Sequence, residues 1–203
     1  MRRPRPWTAL LTMGRRLRCD RSGTVMVEFA LCLPILATLF IGSYEAANLI
    51  LADLKLEAAA ETAADLVAQT TVNDVLQSSD FTNISNASSQ VMSPFPTGSS
   101  QLKIAYASIT YSTGTAVIDW HVEVNGATAI SVSSLPNSAS AGNLGKASNG
   151  STDSVIVAQL TYSYTSPISY VLNSSYTLSE AAFNRPRYMN CVATYLNTNS
   201  TCP

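Results

Sequence analysis

Polar and apolar positions divide the chain into regimes of different period. From Val25 to Leu51 the residues are overwhelmingly Leu, Ile, Val, Ala and Phe, and no charged side chain falls between Phe29 and Ser43. A helix that crosses a bilayer needs about 20 mostly apolar residues, so this run predicts a transmembrane helix with Glu28 and Glu45 near its two edges. From Ala46 to about Gln77 Ala becomes abundant, Gly and Pro are absent, and Leu49, Leu54, Leu56, Leu66, Val67 and Leu76 recur at near-helical spacing. The helix is therefore expected to continue outside the membrane, for about 80 Å from Val25 at about 1.5 Å per residue.

Beyond it the period shifts. Ser78 to Ser100 is rich in Ser, Asn and Thr, carries Pro94 and Pro96, and predicts a linker. Leu102–Tyr111 and Ala116–Val124 then flank Ser112-Thr113-Gly114-Thr115, the pattern of a hairpin. In the second strand Ala116, Ile118, Trp120, Val122 and Val124 fall on one face, and Val117, Asp119, His121 and Glu123 on the other, so one side of the sheet is buried and the other wetter. Ser131 to Asp153 is a long Gly/Ser/Asn loop. Val155–Tyr164 follows as a strand with Ile156, Ala158, Leu160, Tyr162 and Tyr164 inward, and Tyr176–Phe183 as an edge strand. The fold class expected is α+β: a long N-terminal transmembrane helix continuing outside the membrane, packed on a small antiparallel sheet. The division is a basic leader at 1–23, the span at 24–51, its exterior continuation at 52–78, a linker at 79–100 and a β-rich domain at 101–203.

Charge sets the topology. Arg2, Arg3, Arg5, Arg15, Arg16, Arg18 and Arg21 precede the span, which places the N-terminus in the cytoplasm and the remainder outside. From Ala46 onward ten acidic side chains face five basic ones, a balance that argues against nucleic acid as a partner. Asp53, Glu57, Glu61 and Asp65 follow one another at i, i+4, an acidic stripe that mildly opposes the helix. It is either a solvated face or a dock for a basic partner. Cys19 lies on the cytoplasmic side and Cys32 in the span, whereas Cys191 and Cys202 fall in the exported region, where an oxidising compartment predicts a disulfide between them.

Candidate chemistry is thin. Asp119, His121 and Glu123 alternate on one strand face and have the geometry to hold a metal, but no second histidine exists, and surface strands often carry such residues. No Gly-rich phosphate loop follows a strand, and no serine sits in a G-x-S-x-G turn. Triplets such as Asn83-Ile84-Ser85 and Asn149-Gly150-Ser151 match glycosylation acceptors, as chance predicts in so Asn- and Ser-rich a chain. The expectation is a non-enzyme with no cofactor, no metal and no small-molecule substrate.

The most specific pattern is at the start of the span. A basic leader, then Gly23, then an apolar helix with Glu28 at its fifth position resembles a type IV prepilin, in which a prepilin peptidase cuts after the glycine; here that would free Thr24 as the new N-terminus. A carboxylate in the span costs about 2.5–3.5 kcal/mol on insertion scales, and the α-amino group of a neighbouring subunit would offset that cost. The bland alternative is that Glu28 snorkels to the interface. A secretory signal peptide is opposed by Glu28 within the apolar stretch, by the length of that stretch and by the lack of a small-x-small site after it.

Glu28-Phe29-Ala30-Leu31, Leu33-Pro34, Phe40-Ile41-Gly42 and Glu45 together resemble the N-terminal signature of the TadE-like family, and Tyr162-Ser163-Tyr164, Pro167, Leu178-Ser179 and Arg185-Pro186-Arg187 are similar to its closing pattern. That resemblance implies a pseudopilin of the Tad (tight adherence) system, a branch of type IV pilus machinery. Such a protein would sit in the bacterial inner membrane with its sheet domain in the periplasm, and would partner pilin-like subunits, the assembly machinery and the prepilin peptidase. Glu28, Phe29, Pro34, Gly42 and Glu45 would serve subunit registration and assembly. Gly42, Ser43, Ala46 and Ala47 form a small-residue surface that either admits another helix or faces lipid. Two rivals remain: an uncleaved membrane scaffold, and a tethered adhesive or ligand-binding ectodomain using Trp120 and the tyrosines as contacts.

Overall fold

A computed structural model describes residues 22–71, 74–112, 115–131, 133 and 154–196. The basic leader, Cys19, most of the 131–153 loop and Cys202 lie outside the described residues. The elements are helix α1 (Ser22–Ala68), helix α2 (Ser78–Val91) and strands β1 (Leu102–Ser112), β2 (Thr115–Val124), β3 (Ser154–Tyr164) and β4 (Tyr176–Asn184). The four strands form one antiparallel sheet in the order β2-β1-β3-β4, which makes β4 an edge strand. The architecture is α+β, a long apolar N-terminal helix and a four-stranded sheet.

The chain divides into two units, Met1–Tyr44 and Glu45–Pro203. In the first, the described part of α1 exposes Val25, Met26, Val27, Phe29, Leu31, Leu33, Ile35, Leu36, Leu39 and Phe40. Its most apolar window has a mean hydropathy of 2.2, and none of that window is buried. Apolar surface on every side of a helix belongs in a bilayer rather than in water. Thr24–Tyr44 is about 30 Å long at about 1.5 Å per residue, the thickness of a hydrocarbon core. From Glu45 onward the same helix buries a face within the second unit.

That face is built from small residues. Ala52, Leu56, Ala59, Ala60, Ala63, Ala64, Val67 and Ala68 are each at most 1 % exposed. They form one cluster with Leu102, Ile104, Tyr106, Ile156, Leu160, Tyr162 and Tyr164 of the sheet. The i, i+3, i+4, i+7 spacing is that of a helix stripe, but it is carried by alanine more than by leucine. Leu54 is exposed, and so are Ile50 and Leu51. Small side chains on the helix leave room for the large tyrosines and isoleucines opposite.

Three further differences from the sequence expectation have physical causes. The helix ends at Ala68, not near Gln77: the Thr70 hydroxyl donates to the Val67 carbonyl at 2.7 Å, and the Arg187 N–H takes the Ala68 carbonyl at 2.9 Å, so the last turn is closed by other partners. The expected linker contains α2. Ser, Asn and Thr are weak helix formers, yet Phe81, Ser85 and Ser88 recur on one buried face. Phe81 lies 5.2 Å from the Tyr106 ring and 5.7 Å from Trp120. The buried hydroxyls are satisfied, Ser85 by the Tyr106 hydroxyl at 3.0 Å and Ser88 by the Ile84 carbonyl at 2.9 Å. Burial pushes the Tyr106 phenol up to about 12, with Ser85 pulling more weakly the other way, so the pair is neutral.

The third difference is in β2. Register slips between Ser108 and Ile109, which pair with Trp120 and Ile118 and leave Asp119 as the extra residue of a bulge. Trp120, Val122 and Val124 face the helix as expected, but Ile118 crosses to the opposite face and packs with Ala105, Ala107, Ile109, Val155 and Val157. Ile130 covers that second cluster, so the wetter side of the sheet is itself partly buried.

An alanine-lined face cannot accept bulk. Ala63→Leu is expected to lower stability by about 1–3 kcal/mol through overpacking, whereas Ala58→Leu, on the exposed side of α1, should be near neutral. Urea midpoints of the detergent-solubilised chain, followed by tryptophan fluorescence, check the contrast.

Candidate functional site

Gly23 and Thr24 occupy the first turn of α1, and Glu28 follows one turn later with its side chain exposed. Among the described residues, nothing approaches within 4 Å of the place a Gly23 side chain would take. Thr24 and Glu28 stand at i, i+4 and so share a helix face. Among the described residues the Glu28 carboxylate has no partner. Phe29 is exposed, Pro34 sits inside the helix, and the Thr38 hydroxyl donates to the Pro34 carbonyl at 2.8 Å. Gly42 lies on a half-buried side of α1. The structure brings Gly23, Thr24 and Glu28 together at the helix start and sets Pro34 and Gly42 further along it.

Glu45 belongs elsewhere. It is fully buried, and its carboxylate is bound inside its own unit: Oε1 accepts from the Tyr170 N–H at 2.8 Å, and Oε2 from Val171 at 2.8 Å and Leu172 at 2.7 Å. Consecutive backbone N–H groups pointing at one anion form a nest. Ser169, just before it, adopts a left-handed φ of 54°, a conformation uncommon for a residue with a side chain. Its hydroxyl donates to the Ser166 carbonyl at 2.7 Å, which holds the turn. Desolvation raises the Glu45 pKa, but the donors from Leu172, Tyr170, Val171 and the Ser166 side chain outweigh it, and the net shift is downward. A carboxylate used in this way locks the 166–172 loop to α1.

The acidic stripe is half of a groove. Glu57, Glu61 and Asp65 face Glu180 and the 181–184 edge of β4 across a cavity of about 620 Å³. Desolvation raises the Glu180 pKa, and the charges of Asp53 and Glu57 raise it further. At the far end Arg187 forms an ion pair with Asp65, which also accepts from the Gln69 amide at 2.7 Å. Arg187 thus closes the C-terminal end of α1 twice, through its side chain and through its N–H on Ala68. Spacing along the helix identified the stripe. Nothing local in the sequence indicates that Arg187 and Glu180 return to it.

The Asp119–His121–Glu123 triplet does not converge. The bulge turns Asp119 to the Ser108 and Thr110 hydroxyls, while His121 Nδ1 lies 2.6 Å from Glu123 Oε1. Among the described residues no group of three or more His, Cys, Asp or Glu is arranged to hold a metal ion. Cys191 is buried and disulfide-bonded. Around it the C-terminal segment laces the unit together. Trp120 donates to the Val192 carbonyl at 2.8 Å, and Leu76 pairs with the 193–195 backbone.

Residues 23–65 match the family model described as TadE-like protein. That stretch lies wholly within α1 and includes Glu28, Pro34, Gly42, Glu45 and the acidic stripe. No curated protein and no solved structure matches the chain.

Two carboxylates carry opposite pH signatures. Glu45 is depressed in the fold, so its stabilisation is present above its ordinary value of 4.5 and is lost as pH falls through the lower folded value. Glu45→Gln removes the charge and should speed amide exchange at Tyr170, Val171 and Leu172 by about tenfold or more at neutral pH, with little change at Phe81; exchange measured by mass spectrometry decides this. Glu180 is raised, so its protonated form favours the fold and that contribution is lost as pH rises through the folded value. Glu180→Gln should therefore stabilise at pH 7 by only a few tenths of a kcal/mol, roughly, since the groove is open to screening. Its advantage should vanish near pH 4 in urea titrations.

Proposed function

We propose that the chain is a membrane-anchored, pilin-like structural component of Tad-type pilus assembly, inserted in the bacterial inner membrane with its sheet domain in the periplasm. The observation that carries this is the match of residues 23–65 to the TadE-like family model, on a helix that exposes apolar side chains all round and holds near its start a carboxylate, Glu28, with no partner among the described residues. The helix supplies single-pass anchoring. Glu28 supplies the reason to assemble, since a carboxylate in hydrocarbon gains most from a cationic partner, and a new α-amino group at Thr24 of an adjacent subunit is such a partner. Maturation after Gly23 by the prepilin peptidase would create that amine and remove the arginines that hold the leader on the cytoplasmic side. The work is done by helix–helix packing, with no catalytic step.

A second reading, an anchored scaffold that keeps its leader, is favoured by one feature: Gly23 and Thr24 are helical, and a peptidase acts on an extended bond more readily than on one inside a helix. The two differ in the mature N-terminus. The intact mass of the membrane-extracted protein, from cells with and without the prepilin peptidase, should show a chain starting at Thr24 only when the enzyme is present. A start at Met1 in both strains establishes the scaffold. In either case Glu28→Ala should leave the protein in the membrane and lower its recovery with pilus subunits by about tenfold or more, as read by detergent co-purification.

A further inference from the structure

The loop that grips Glu45 presents its side chains outward. Ile168 is 49 %, Tyr170 63 % and Val171 48 % exposed, although the backbone beneath them is fixed by the carboxylate. The loop is held open by a buried anion and a left-handed serine. The segment is also uncharged, with no acidic or basic residue from Thr165 to Ser179, in an exported region that is otherwise acidic. Its place along the chain is informative. Glu45 is where the polypeptide enters the second unit, directly after the apolar stretch ends at Tyr44.

We infer that the 168–171 loop is a lipid-contacting foot, which rests in the interfacial layer of the bilayer that α1 crosses. This rests on the anchoring reading given above. The chemistry fits that solvent. A tyrosine with an apolar body and a polar tip suits the headgroup level, and two aliphatic neighbours suit the acyl boundary beneath it. The lack of charge spares the loop the cost of desolvating an ion at the lipid boundary. The Glu45 nest gives the foot a fixed height: the three N–H groups that would otherwise demand water are satisfied inside the protein, so only side chains meet the lipid. A partner protein at the same place would need complementary shape. A lipid interface needs only apolar area and a polar rim, which is what the loop offers.

The test uses the full chain with Cys19→Ser and Cys32→Ser, carrying Tyr170→Cys labelled with an environment-sensitive nitrobenzoxadiazole dye under non-reducing conditions. It is placed in phosphatidylcholine nanodiscs with or without brominated acyl chains. Leu36→Cys reports the span and Ala58→Cys the exposed helix beyond it. The expected result is quenching by brominated lipid at position 170 about threefold or more above position 58, with the strongest quenching at 36. Val171→Cys repeats the measurement should the first variant fold poorly. Quenching at 36 with none at 170 and 171 overturns the foot and leaves the anchor intact. No quenching at 36 overturns both. A blue-shifted but unquenched dye at 170 shows burial against protein, this chain or a second copy, and overturns the lipid assignment.

Discussion

One helix has to satisfy two solvents, and the rest of the structure follows from how it does so. Up to Phe40 α1 exposes apolar side chains on every side, with Glu28 among them, a surface that suits lipid. From Glu45 the same helix has a buried stripe and a charged outer side, the requirement of a water-soluble domain. The change is abrupt because it is made by one residue. Glu45 ends the apolar stretch and begins the domain core, and its charge is neutralised by backbone donors rather than by water. A lysine or a free carboxylate at that place would need solvent and would leave the 166–172 loop without an anchor.

The stripe beyond Glu45 explains the sheet it meets. Alanine at 52, 59, 60, 63, 64 and 68 contributes little apolar area of its own, so the opposite face supplies it through Tyr106, Tyr162, Tyr164, Ile104, Ile156 and Leu160. Those tyrosines bring hydroxyls into the core, and each needs a partner. Ser85 meets Tyr106, and the Pro96 carbonyl accepts from Tyr162 at 3.0 Å. The polar segment between α1 and β1 is thus part of the core's hydrogen-bonding complement. It could not be replaced by a flexible tether without orphaning buried phenols.

How much of this the sequence discloses depends on the range of the interaction that decides each element. The span, α1, and strands β1, β3 and β4 are set by short-range periodicity, and the alternation of Ile156, Ala158, Leu160, Tyr162 and Tyr164 is enough to orient a whole strand. Helix α2 is hidden because its residues have poor helix propensity and its stability comes from Phe81 packing on Tyr106 and Trp120, far along the chain. The Asp119 bulge is hidden because Ile118 keeps the right alternation for the wrong face. Glu45 could be singled out as a charged residue at the edge of an apolar run. Its partners are backbone N–H groups, which carry no residue-type signature, so its role inside the domain was not readable from composition.

The two carboxylates of α1 that flank the apolar stretch illustrate what assembly has to work with. Glu45 is satisfied within the chain, and disturbing it is a folding event. Glu28 has no partner among the described residues, and the cost of leaving it so falls on the membrane-inserted monomer. In the proposed reading, one carboxylate satisfied internally and one left open would direct association to the start of the helix. The match to the TadE-like family model includes both positions and stops before the sheet begins. Both carboxylates and the acidic stripe lie in that matched helix, whereas the sheet and the laced C-terminal segment lie outside it.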